Sequence, residues 1–380
     1  MVFVRRNGET EKNLRPTRAV ISLNNIRNNF RIINELTGTE IMPVVKADAY
    51  GHGAVRVANV LQSEGAAMLG VATIEEGVKL RENSITTDIL VLGSIFPFEN
   101  FREIIKYNLT PVIASIKSAR VLEKFASSAE KKVRVHIKVD TGMGRIGISP
   151  ATAAKLYKYA VDSGYIEPEG IFTHLAAADS DYLFTCRQIK DFSELAGSLN
   201  PHPKYIHAAN TAGIMKYPDS HFNLVRPGLA LYGLFPDGVE KEKFNLAPAL
   251  SWESAIIFLK DVKKGTPISY GGTWKAPDAA KIATLAVGYA DGYSRMLSNR
   301  GYVIIRSTKC PVVGRVCMDM IMVDVTGVED VQVGDRALLI GETERVSMSA
   351  EELAALARTI NYEITTCISS RVPRVFKDEQ

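Results

Sequence analysis

IMPVVKADAYGHG, residues 41–53, joins an apolar run to a charged amine and then to a glycine-rich turn. The first five residues are continuously apolar, which is typical of a strand buried on both faces of a sheet. Lys46 follows directly, and Gly51 and Gly53 allow the chain to turn sharply after it. The stretch therefore predicts a buried parallel strand with Lys46 at its carboxyl end.

Seven further apolar runs resemble this one, and helix-like stretches separate most of them. The eight runs are IMPVV (41–45), MLGVA (68–72), ILVLG (89–93), PVIAS (111–115), VRVHIKV (133–139), GIFTH (170–174), YIHA (205–208) and FNLVR (222–226). Strands that alternate with helices indicate βαβ units and a parallel sheet. Eight such units favour a closed (β/α)8 TIM-type barrel, whose usual size is about 250 residues. A doubly wound sheet is the competing topology, and the pattern alone leaves it open.

The pattern changes after about residue 245. Strand-like segments such as KIATLAVGYA, YVIIRS and MIMVDVTG follow one another with Gly, Pro or Asp turns and little helix. One helix is predicted near residues 349–360, where Ser349 and Glu352 have capping-box spacing. We therefore predict two domains, a barrel over residues 1–245 and a mainly β C-terminal domain over residues 246–380.

Composition excludes several functional classes. The chain has 380 residues with a formal net charge of +4, which gives no reason to expect nucleic acid or a membrane as a partner. Its four cysteines form no CxxC pair, so we expect neither a metal site nor a disulfide framework. Free cysteines are typical of a reducing compartment, so we expect a cytoplasmic location. Residues 1–16 lack the features of a secretory signal, and no stretch approaches the ~18 apolar residues of a membrane span.

Reactive side chains follow several of the predicted strands. In a barrel, functional residues gather at the carboxyl ends of the strands. Those ends carry Lys46, Lys138, Asp140, Arg145, His174, His207 and Arg226. Each residue alone has an ordinary structural explanation, such as a solvated lysine at the rim or a hydrogen-bonded histidine. Their convergence favours a site, in which burial and nearby cations would lower the pKa of Lys46 and make its amine a nucleophile.

VVKADAYGHG resembles the cofactor-lysine signature of alanine racemases, pyridoxal-phosphate enzymes built from a barrel and a β domain. Further blocks agree along nearly the whole chain: HIKVDTGMGRIG (136–147), HAANTAG (207–213), VRPGLALYG (225–233), SYGGTW (269–274), VGYADGYSR (287–295), GRVCMDMIMVDVT (314–326) and INYEITTCISSRVPR (360–374). Eight blocks in the family's order, with similar spacings, make the resemblance specific.

The resemblance implies a reaction and two catalytic residues. The protein would interconvert L- and D-alanine and so supply D-alanine for cell-wall peptidoglycan. Lys46 would bind the aldehyde of pyridoxal 5'-phosphate covalently and later act as one of two proton-transfer bases. Tyr270 would be the other base, because one residue cannot easily reach both faces of a planar intermediate.

The resemblance also implies the cofactor site. Phosphate would be bound by the hydroxyls of Tyr50, Thr211 and Tyr362, near Asn210, and by backbone N–H groups near Gly228 and Leu229. Arg226 would face the pyridine nitrogen and, as a permanent donor, keep that nitrogen unprotonated. His174 would pack against the ring, and Arg145 would meet the ring oxygen.

Substrate contacts and the oligomer follow from the same resemblance. Arg145 and the backbone N–H of Met318 would bind the substrate carboxylate. Five residues would support the site: His207, Lys138, Tyr289, Cys317 and Asp319. His207 would form a hydrogen bond with Arg226 or Tyr270, and Tyr289 would narrow the entrance together with Tyr362. Lys138 matches a lysine that is carbamylated in some members of the family. A homodimer would share its sites, with Lys46 from one subunit and Tyr270 and Met318 from the other.

Other functions remain in competition at this point. A racemase of broader specificity would have the same fold, and a decarboxylase would share the two-domain plan but not the SYGGTW block. A non-catalytic pyridoxal-phosphate-binding protein would have the barrel without the β domain. Gly142, Gly144 and Gly147 also form a G-x-G-x-x-G pattern, which is typical of dinucleotide-binding folds. That pattern follows the fifth predicted strand instead of the first, which weighs against a dinucleotide site.

Overall fold

The computed structural model describes residues 14–378. Of residues 1–16, for which no secretory signal is predicted, residues 1–13 therefore lie outside the described part of the chain. The described residues form two compact units. The barrel unit comprises Asn25–Ala49 and Ala54–Ala247, and the β-rich unit comprises residues 14–24, Tyr50–Gly53 and residues 248–378.

The secondary structure follows the predicted change from alternating elements to strands. The strands, in chain order, are β1 Arg18–Ser22, β2 Glu40–Ile41, β3 Met68–Val71, β4 Asp88–Ser94, β5 Thr110–Ile113, β6 Val133–Lys138, β7 Ile166–Phe172, β8 Tyr205–His207, β9 Leu224–Val225, β10 Leu250–Val262, β11 Pro267–Ile268, β12 Trp274–Lys275, β13 Ala280–Leu285, β14 Tyr302–Ile305, β15 Thr308–Pro311, β16 Ile321–Asp324, β17 Arg336–Glu342, β18 Ser347–Met348 and β19 Arg374–Lys377. The α-helices are α1 Leu23–Thr37, α2 Ala54–Ser63, α3 Ile74–Glu82, α4 Phe101–Lys106, α5 Ile116–Ser128, α6 Pro150–Asp162, α7 Tyr182–Ser198, α8 Thr211–Lys216, α9 Ala350–Ala357 and α10 Asn361–Thr366.

The eight strands β2 to β9 form a parallel barrel. Strands β3 to β8 pair in sequence order, and β2 pairs in parallel with β9. A parallel bridge between Val44 and Gly70 joins the segment after β2 to β3. The Arg226 N–H donates to the Ala209 carbonyl at 3.0 Å, which joins the end of β9 to the end of β8. All eight predicted strands are therefore present, and the barrel prediction is confirmed. The strand order shows no reversal, which excludes both the doubly wound sheet and the dinucleotide fold.

The barrel interior is filled by apolar side chains from almost every strand. The cluster consists of Met42, Met68, Leu90, Val112, Phe172, Tyr205 and Leu224. These residues point inward because side chains alternate between the two faces of a strand. Truncating one of the buried leucines to alanine would cost about 2–5 kcal/mol, since it would leave a cavity in a closed interior. This packed layer supports the site above it.

The β-rich unit is organised around the long strand β10. Its main sheet has the order β15–β14–β17–β10–β1–β19, and β13 pairs with both β10 and β16. Strand β1 pairs antiparallel with β10 and parallel with β19. Arg18–Ser22 thus belongs to the sheet of this unit, although it lies far from the other strands in sequence. The domain boundary near residues 245 and 246 itself stays a prediction.

The helix predicted near residues 349–360 is present as α9, with Ser349 as its N-cap. The Glu352 N–H donates to Ser349 Oγ at 3.1 Å, and the Ser349 N–H donates to Glu352 Oε2 at 2.9 Å. These two bonds form the capping box that the spacing predicts. Over residues 14–378, no helix combines the length and apolarity that crossing a membrane requires.

Candidate active site

Lys46 lies at the carboxyl end of the first barrel strand, where the chain enters an unusual turn. Ala47, Asp48 and Ala49 have φ between 52° and 56° and ψ between 46° and 52°, and Tyr50 has φ 54°. Four successive non-glycine residues in the left-handed region are unfavourable without support, because Cβ crowds the carbonyl oxygen. The backbone after Lys46 is therefore held by contacts from elsewhere in the fold.

Glu76, at the start of α3, provides this support. Its Oε1 accepts the Ala47 N–H at 2.6 Å, and its Oε2 accepts the Ala72 N–H at 2.7 Å. Thr73 and Glu76 also form the capping box of α3. Glu76 was not among the residues predicted from the sequence. The T-x-x-E spacing was its one signal, and that spacing predicts a helix start without revealing the second partner.

The electrostatic surroundings of Lys46 suit a nucleophilic amine. Burial is the largest cause that lowers the pKa of Lys46, and the cationic side chains of Arg145 and Arg226 lower it further. Glu76 acts in the opposite direction. A lower pKa means that more of the amine is unprotonated at neutral pH, which is the form that attacks a carbonyl carbon.

Arg226 is a buried guanidinium that follows β9. Its Nη1 contacts His207 Nδ1 at 2.9 Å, and its Nη2 donates to the carbonyl oxygens of Thr173 and Ala208, each at 2.8 Å. Nη2 also lies 3.4 Å from His174 Nδ1. Burial lowers the pKa of Arg226 to about 9, so the group remains charged at neutral pH. Among the described residues these partners include no carboxylate, so its charge is not neutralised by direct contact.

Two histidines predicted at strand ends lie beside Arg226, and a third histidine, which was not predicted, lies next to them. His174 and His207 both have a pKa well below the usual histidine range, because burial and then the Arg226 charge disfavour the imidazolium form. His207 Nε2 contacts Nδ1 of His136 at 2.8 Å. His136 is fully buried on β6, and its pKa is also lowered by burial.

Lys138 and the loop after it form one side of the site. Lys138 is 6 % exposed, and its Nζ lies 4.1 Å from the centroid of the Phe172 ring. Burial, followed by the charges of Arg226 and Arg145, lowers the pKa of Lys138 well below the usual lysine value. Asp140 then accepts the N–H groups of Gly142 and Gly144 at 2.9 and 3.1 Å. The glycines thus fold the loop around Asp140.

The predicted phosphate-binding residues of the barrel unit lie together. Asn210 is the N-cap of α8, and its Oδ1 accepts the Gly213 N–H at 3.0 Å. Thr211 Oγ1 accepts the Gly228 N–H at 3.2 Å and the Ala230 N–H at 3.4 Å. The segment that contains Gly228 and Leu229 therefore packs on the start of α8. This arrangement gathers a hydroxyl and several backbone N–H groups, which suits a phosphate.

Tyr50 and Tyr362 belong to the β-rich unit. Their ring centroids are 6.0 Å apart with an interplanar angle of 42°. Burial, and secondarily the neighbouring Tyr362, raise the pKa of Tyr50 well above its usual value. The Tyr50 phenol therefore stays protonated and can donate a hydrogen bond to an anion.

The remaining predicted residues form a cluster of turns in the β-rich unit. Ser269, next to Tyr270, donates from Oγ to the Arg315 carbonyl at 2.6 Å and lies 3.5 Å from Cys317 Sγ. The Tyr289 N–H donates to the Cys317 carbonyl at 3.0 Å. A Cβ on the preceding Gly288 would lie 2.3 Å from the Met318 oxygen, so only glycine permits this approach.

Two further observations concern the segment Cys317–Asp319. Arg371 Nη2 donates to Asp319 Oδ1 at 2.8 Å, which anchors the turn. The side chains of Tyr270 and Met318 are 70 % and 52 % exposed. The structure thus brings Tyr270, Tyr289, Cys317, Met318 and Asp319 into one group, and it brings Lys46, Arg145, His174, His207 and Arg226 into another within the barrel unit.

Together these features define a class of protein: a barrel enzyme with a reactive lysine at the end of its first strand and an appended β-rich unit. Comparison with protein families shows which family of this class the chain belongs to. Residues 21–236 match the model "Alanine racemase, N-terminal domain", and residues 249–376 match "Alanine racemase, C-terminal domain". The chain therefore belongs to the alanine racemase family, whose members are pyridoxal-phosphate-dependent racemases.

Individual relatives are similar to this chain over nearly its whole length. The alanine racemase of Halothermothrix orenii is 44% identical over 371 residues, which cover 96% of this chain and 98% of the relative. That of Carboxydothermus hydrogenoformans is 43% identical, covering 96% and 100%. Among solved structures, an alanine racemase from Clostridium difficile 630 superposes with a TM-score of 0.90 at 40% identity, covering 95% of this chain and 96% of the other. A second structure of that protein is a complex with cycloserine, with a TM-score of 0.87.

Proposed function

We propose that this protein interconverts L- and D-alanine with pyridoxal 5'-phosphate bound at Lys46. The observation that carries the proposal is the position of Lys46, a partly buried amine whose pKa is lowered by burial and by Arg145 and Arg226. Relatives that are named alanine racemases match the chain over almost its full length. The surroundings of Lys46 support the choice of residue, and the names of the relatives support the choice of reaction.

The residues of the barrel unit fit this cofactor. Arg226 is a buried donor without a carboxylate partner among the described residues, which suits a ring nitrogen that accepts a hydrogen bond. The hydroxyl of Thr211 and the N–H groups around Gly228 and Leu229 suit a phosphate, and we assign the hydroxyls of Tyr50 and Tyr362 to the same group. His174 would pack on the ring. When bound, the cofactor withdraws electrons and so makes the α-proton of the amino acid acidic.

Lys46 and Tyr270 then transfer protons on opposite faces of the substrate Cα. In this proposal the Nζ of Lys46 removes or returns the proton on one face, and the Oη of Tyr270 does so on the other. Racemisation requires both faces, because the proton must return on the side opposite to its departure. Arg226 would hold the ring nitrogen as a hydrogen-bond donor that keeps its own proton, and this would favour prompt return of a proton to Cα by Lys46 or Tyr270 over transamination.

The substrate carboxylate would be bound by Arg145 and by the backbone N–H of Met318. Within residues 14–378 this N–H donates to no carbonyl or side chain, so it is available to a ligand. We also propose that Lys138 is carbamylated, since a lowered pKa favours the neutral amine that reacts with carbon dioxide. Tyr289 and Tyr362 would narrow the entrance and favour a methyl side chain, with His207, Cys317 and Asp319 in supporting positions.

We further propose a homodimer in which Lys46 of one subunit works with Tyr270 and Met318 of the other. Support comes from the exposed apolar side chains around the Tyr270 turn, since large exposed side chains in one cluster are typical of interaction surfaces. They are Tyr270, Tyr289, Met318 and Met320. We place the enzyme in the cytoplasm, consistent with its four free cysteines, and its D-alanine would serve peptidoglycan synthesis.

The experiment that tests this function is a substrate panel. Purified protein with added pyridoxal phosphate is incubated with single L-amino acids, and the D-forms are quantified by chiral chromatography. We expect L-alanine to be racemised at least about ten times more efficiently than L-serine, since a polar hydroxymethyl group must enter a site that tyrosines narrow. The Lys46→Ala variant serves as the control and should be inactive. Equal rates for larger amino acids would replace this proposal by a racemase of broad specificity.

A further inference from the structure

A buried chain of side chains leads from Arg226 down into the barrel. It consists of Arg226, His207 on β8, His136 on β6 and Glu169 on β7. The contacts are Arg226 Nη1 to His207 Nδ1 at 2.9 Å, His207 Nε2 to His136 Nδ1 at 2.8 Å, and His136 Nε2 to Glu169 Oε2 at 3.9 Å. The two histidines are fully buried, and Glu169 is 5 % exposed. We call this set the Arg226 relay.

The position of Glu169 results from an irregularity in β7. Along the pair of β6 and β7, Val135 is opposite Pro168, whereas the next residue, His136, is opposite Gly170. Glu169 is therefore an extra residue in β7, a bulge, and bulges redirect side chains. Gly170 leaves room for the imidazole, since a Cβ there would lie 2.6 Å from ring atoms of His136.

Hydrogen-bond chemistry gives the relay one direction. A guanidinium has only donors, so His207 Nδ1 must accept, and in a neutral imidazole the proton is then on Nε2. That proton is donated to His136 Nδ1, which places the proton of His136 on Nε2, facing Glu169. In the alternative tautomer, the proton of His136 would be on Nδ1 and would be donated to His207 Nε2. The proton of His207 would then be on Nδ1, where two N–H donors, that of His207 and that of Arg226, would face each other.

Glu169 is held as the acceptor at the end of the relay. Its Oε1 accepts from Lys204 Nζ at 3.1 Å and lies 3.6 Å from Arg134 Nη1. Burial opposes ionisation of Glu169, but the hydrogen bond from Lys204 and the charge of Arg134 act in the other direction, and the pKa of Glu169 is lowered. Its Oε2 and His136 Nε2 have no hydrogen-bond partner elsewhere in residues 14–378. Closing their 3.9 Å separation to a hydrogen bond requires about 1 Å of movement.

We propose that Glu169 and His136 are positioning residues that select the tautomer in which His207 accepts from Arg226, and so fix the guanidinium as a donor toward the cofactor ring. The role of the ring rests on the proposed function. The tautomer assignment rests on the protein's own residues. Neither residue needs to touch substrate or cofactor, because each acts through its neighbour.

The test combines histidine NMR with activity. Full-length protein labelled with ¹⁵N at histidine and saturated with pyridoxal phosphate is studied by long-range ¹H–¹⁵N correlation near neutral pH. In wild type we expect His136 and His207 both as neutral Nε2–H tautomers. An imidazolium, or an Nδ1–H tautomer at His207, would overturn the proposal without any variant being needed.

Three variants then separate positioning from packing. Glu169→Met removes the acceptor at similar size, and we expect a mixture of tautomers at His136 and His207 with a kcat about 10-fold or more below wild type. Glu169→Gln retains an acceptor oxygen and should recover most of the wild-type tautomer signal and rate. Glu167→Met changes an exposed carboxylate on the same strand and should alter neither.

Each result has a defined meaning. Wild-type tautomers in a folded Glu169→Met protein would refute the relay, even if activity fell, since a structural defect alone explains a lower rate. If the tautomers shift as expected but no variant and no wild-type sample racemises alanine, the relay stands and the proposed function fails.

Discussion

At the scale of single residues, two lysines compete for the same chemical role. Lys46 and Lys138 both have a lowered pKa, and burial is the largest cause for each. They differ in surroundings: Lys138 is packed over the Phe172 ring, whereas Lys46 is only partly buried at the start of a turn. An amine that must meet a cofactor aldehyde needs access as well as a lowered pKa, which favours Lys46.

A reductive trap tests this choice. The protein is incubated with pyridoxal phosphate, reduced with borohydride and digested, and the modified peptide is identified by mass spectrometry. We expect the adduct on Lys46. Because the pKa of Lys46 is lowered, trapping should continue at pH values at which an exposed lysine is fully protonated. Lys138→Ala is the matched control and should still be trapped, while an adduct on Lys138 in wild type would reject the assignment.

Tyr270 carries the second prediction at this scale. Tyr270→Phe removes one base and leaves the other face of the substrate unaffected, so the two enantiomers should respond unequally. We propose that Tyr270 takes the α-proton of L-alanine and Lys46 that of D-alanine. In D₂O, exchange of the α-proton should then fall by about 10²–10⁴-fold for L-alanine and far less for D-alanine. Proton NMR of each enantiomer measures this. Tyr289→Phe, in the neighbouring turn, should lower neither exchange rate by a comparable factor; equal losses in Tyr270→Phe would argue against two separate bases.

At the scale of elements, the turn after Lys46 depends on a side chain from another element. Ala47 to Tyr50 have no intrinsic preference for left-handed backbone, and the Oε atoms of Glu76 hold the N–H groups of Ala47 and Ala72. Helix α3 thus aligns the turn that carries the reactive amine. A helix that supports a strand-end loop in this way connects the packing of the barrel to the chemistry at its rim.

Glu76→Ala should therefore disturb both stability and reactivity. We expect a loss of about 1–3 kcal/mol in the free energy of unfolding, because backbone donors lose a charged acceptor and α3 loses its capping box. Slower trapping of Lys46 by pyridoxal phosphate should accompany it. Denaturant unfolding and the borohydride assay measure the two effects. Glu75→Ala, one position earlier in the same helical turn, is the control. A stable Glu76→Ala protein with normal trapping would show that the turn holds itself.

The helices and strands also show how much of the fold could be predicted from the sequence. The barrel strands were predictable because most of their residues are buried and most of them read as largely apolar runs between helix-like stretches. Strand β1 was not assigned to the β-rich unit, because its pairing with β10 and β19 joins residues more than 200 positions apart and leaves no local signal. The left-handed turn was likewise invisible, since the acceptor that stabilises it lies on α3.

The same reasoning applies to the site. Residues that follow strands directly, such as Lys46 and Arg226, were predictable because the topology of a barrel brings strand ends together. His136 and Glu169 were not, because they lie within strands, where alternation alone decides direction. Pro168 and Gly170 flank Glu169 and are residue types that often mark a bulge, but they do not show which way the Glu169 side chain turns. Polar residues in the barrel interior could therefore be identified only once the register of the strands was known.

At the scale of the whole molecule, the proposed catalytic bases belong to different units. Lys46 is in the barrel unit, while Tyr270 and Met318 are in the β-rich unit with exposed side chains. In the proposed dimer, each active site takes Lys46 from one subunit and Tyr270 from the other. A two-fold axis makes this arrangement self-consistent, because every such contact occurs twice.

Complementation between inactive variants tests the shared site. Lys46→Ala and Tyr270→Ala proteins are unfolded, mixed in equal amounts and refolded together. In a mixed dimer, the chain that retains Lys46 meets the chain that retains Tyr270, so one site is complete and the other lacks both bases. Random assortment makes half of the dimers mixed, with one complete site of two. Racemase activity should therefore reach about a quarter of the wild-type value per site.

The control for this experiment replaces the Tyr270→Ala partner by the double variant Lys46→Ala/Tyr270→Ala. Mixed dimers then contain no chain with Lys46, so activity should stay at the background of the parent proteins. Differently tagged chains and tandem affinity purification establish that mixed dimers have formed. If both bases came from one chain, every site in the first mixture would lack one of them and mixing would restore nothing. Absence of recovery in purified mixed dimers would therefore require each subunit to act with its own Lys46 and Tyr270, and the exposed Tyr270 surface would need another explanation.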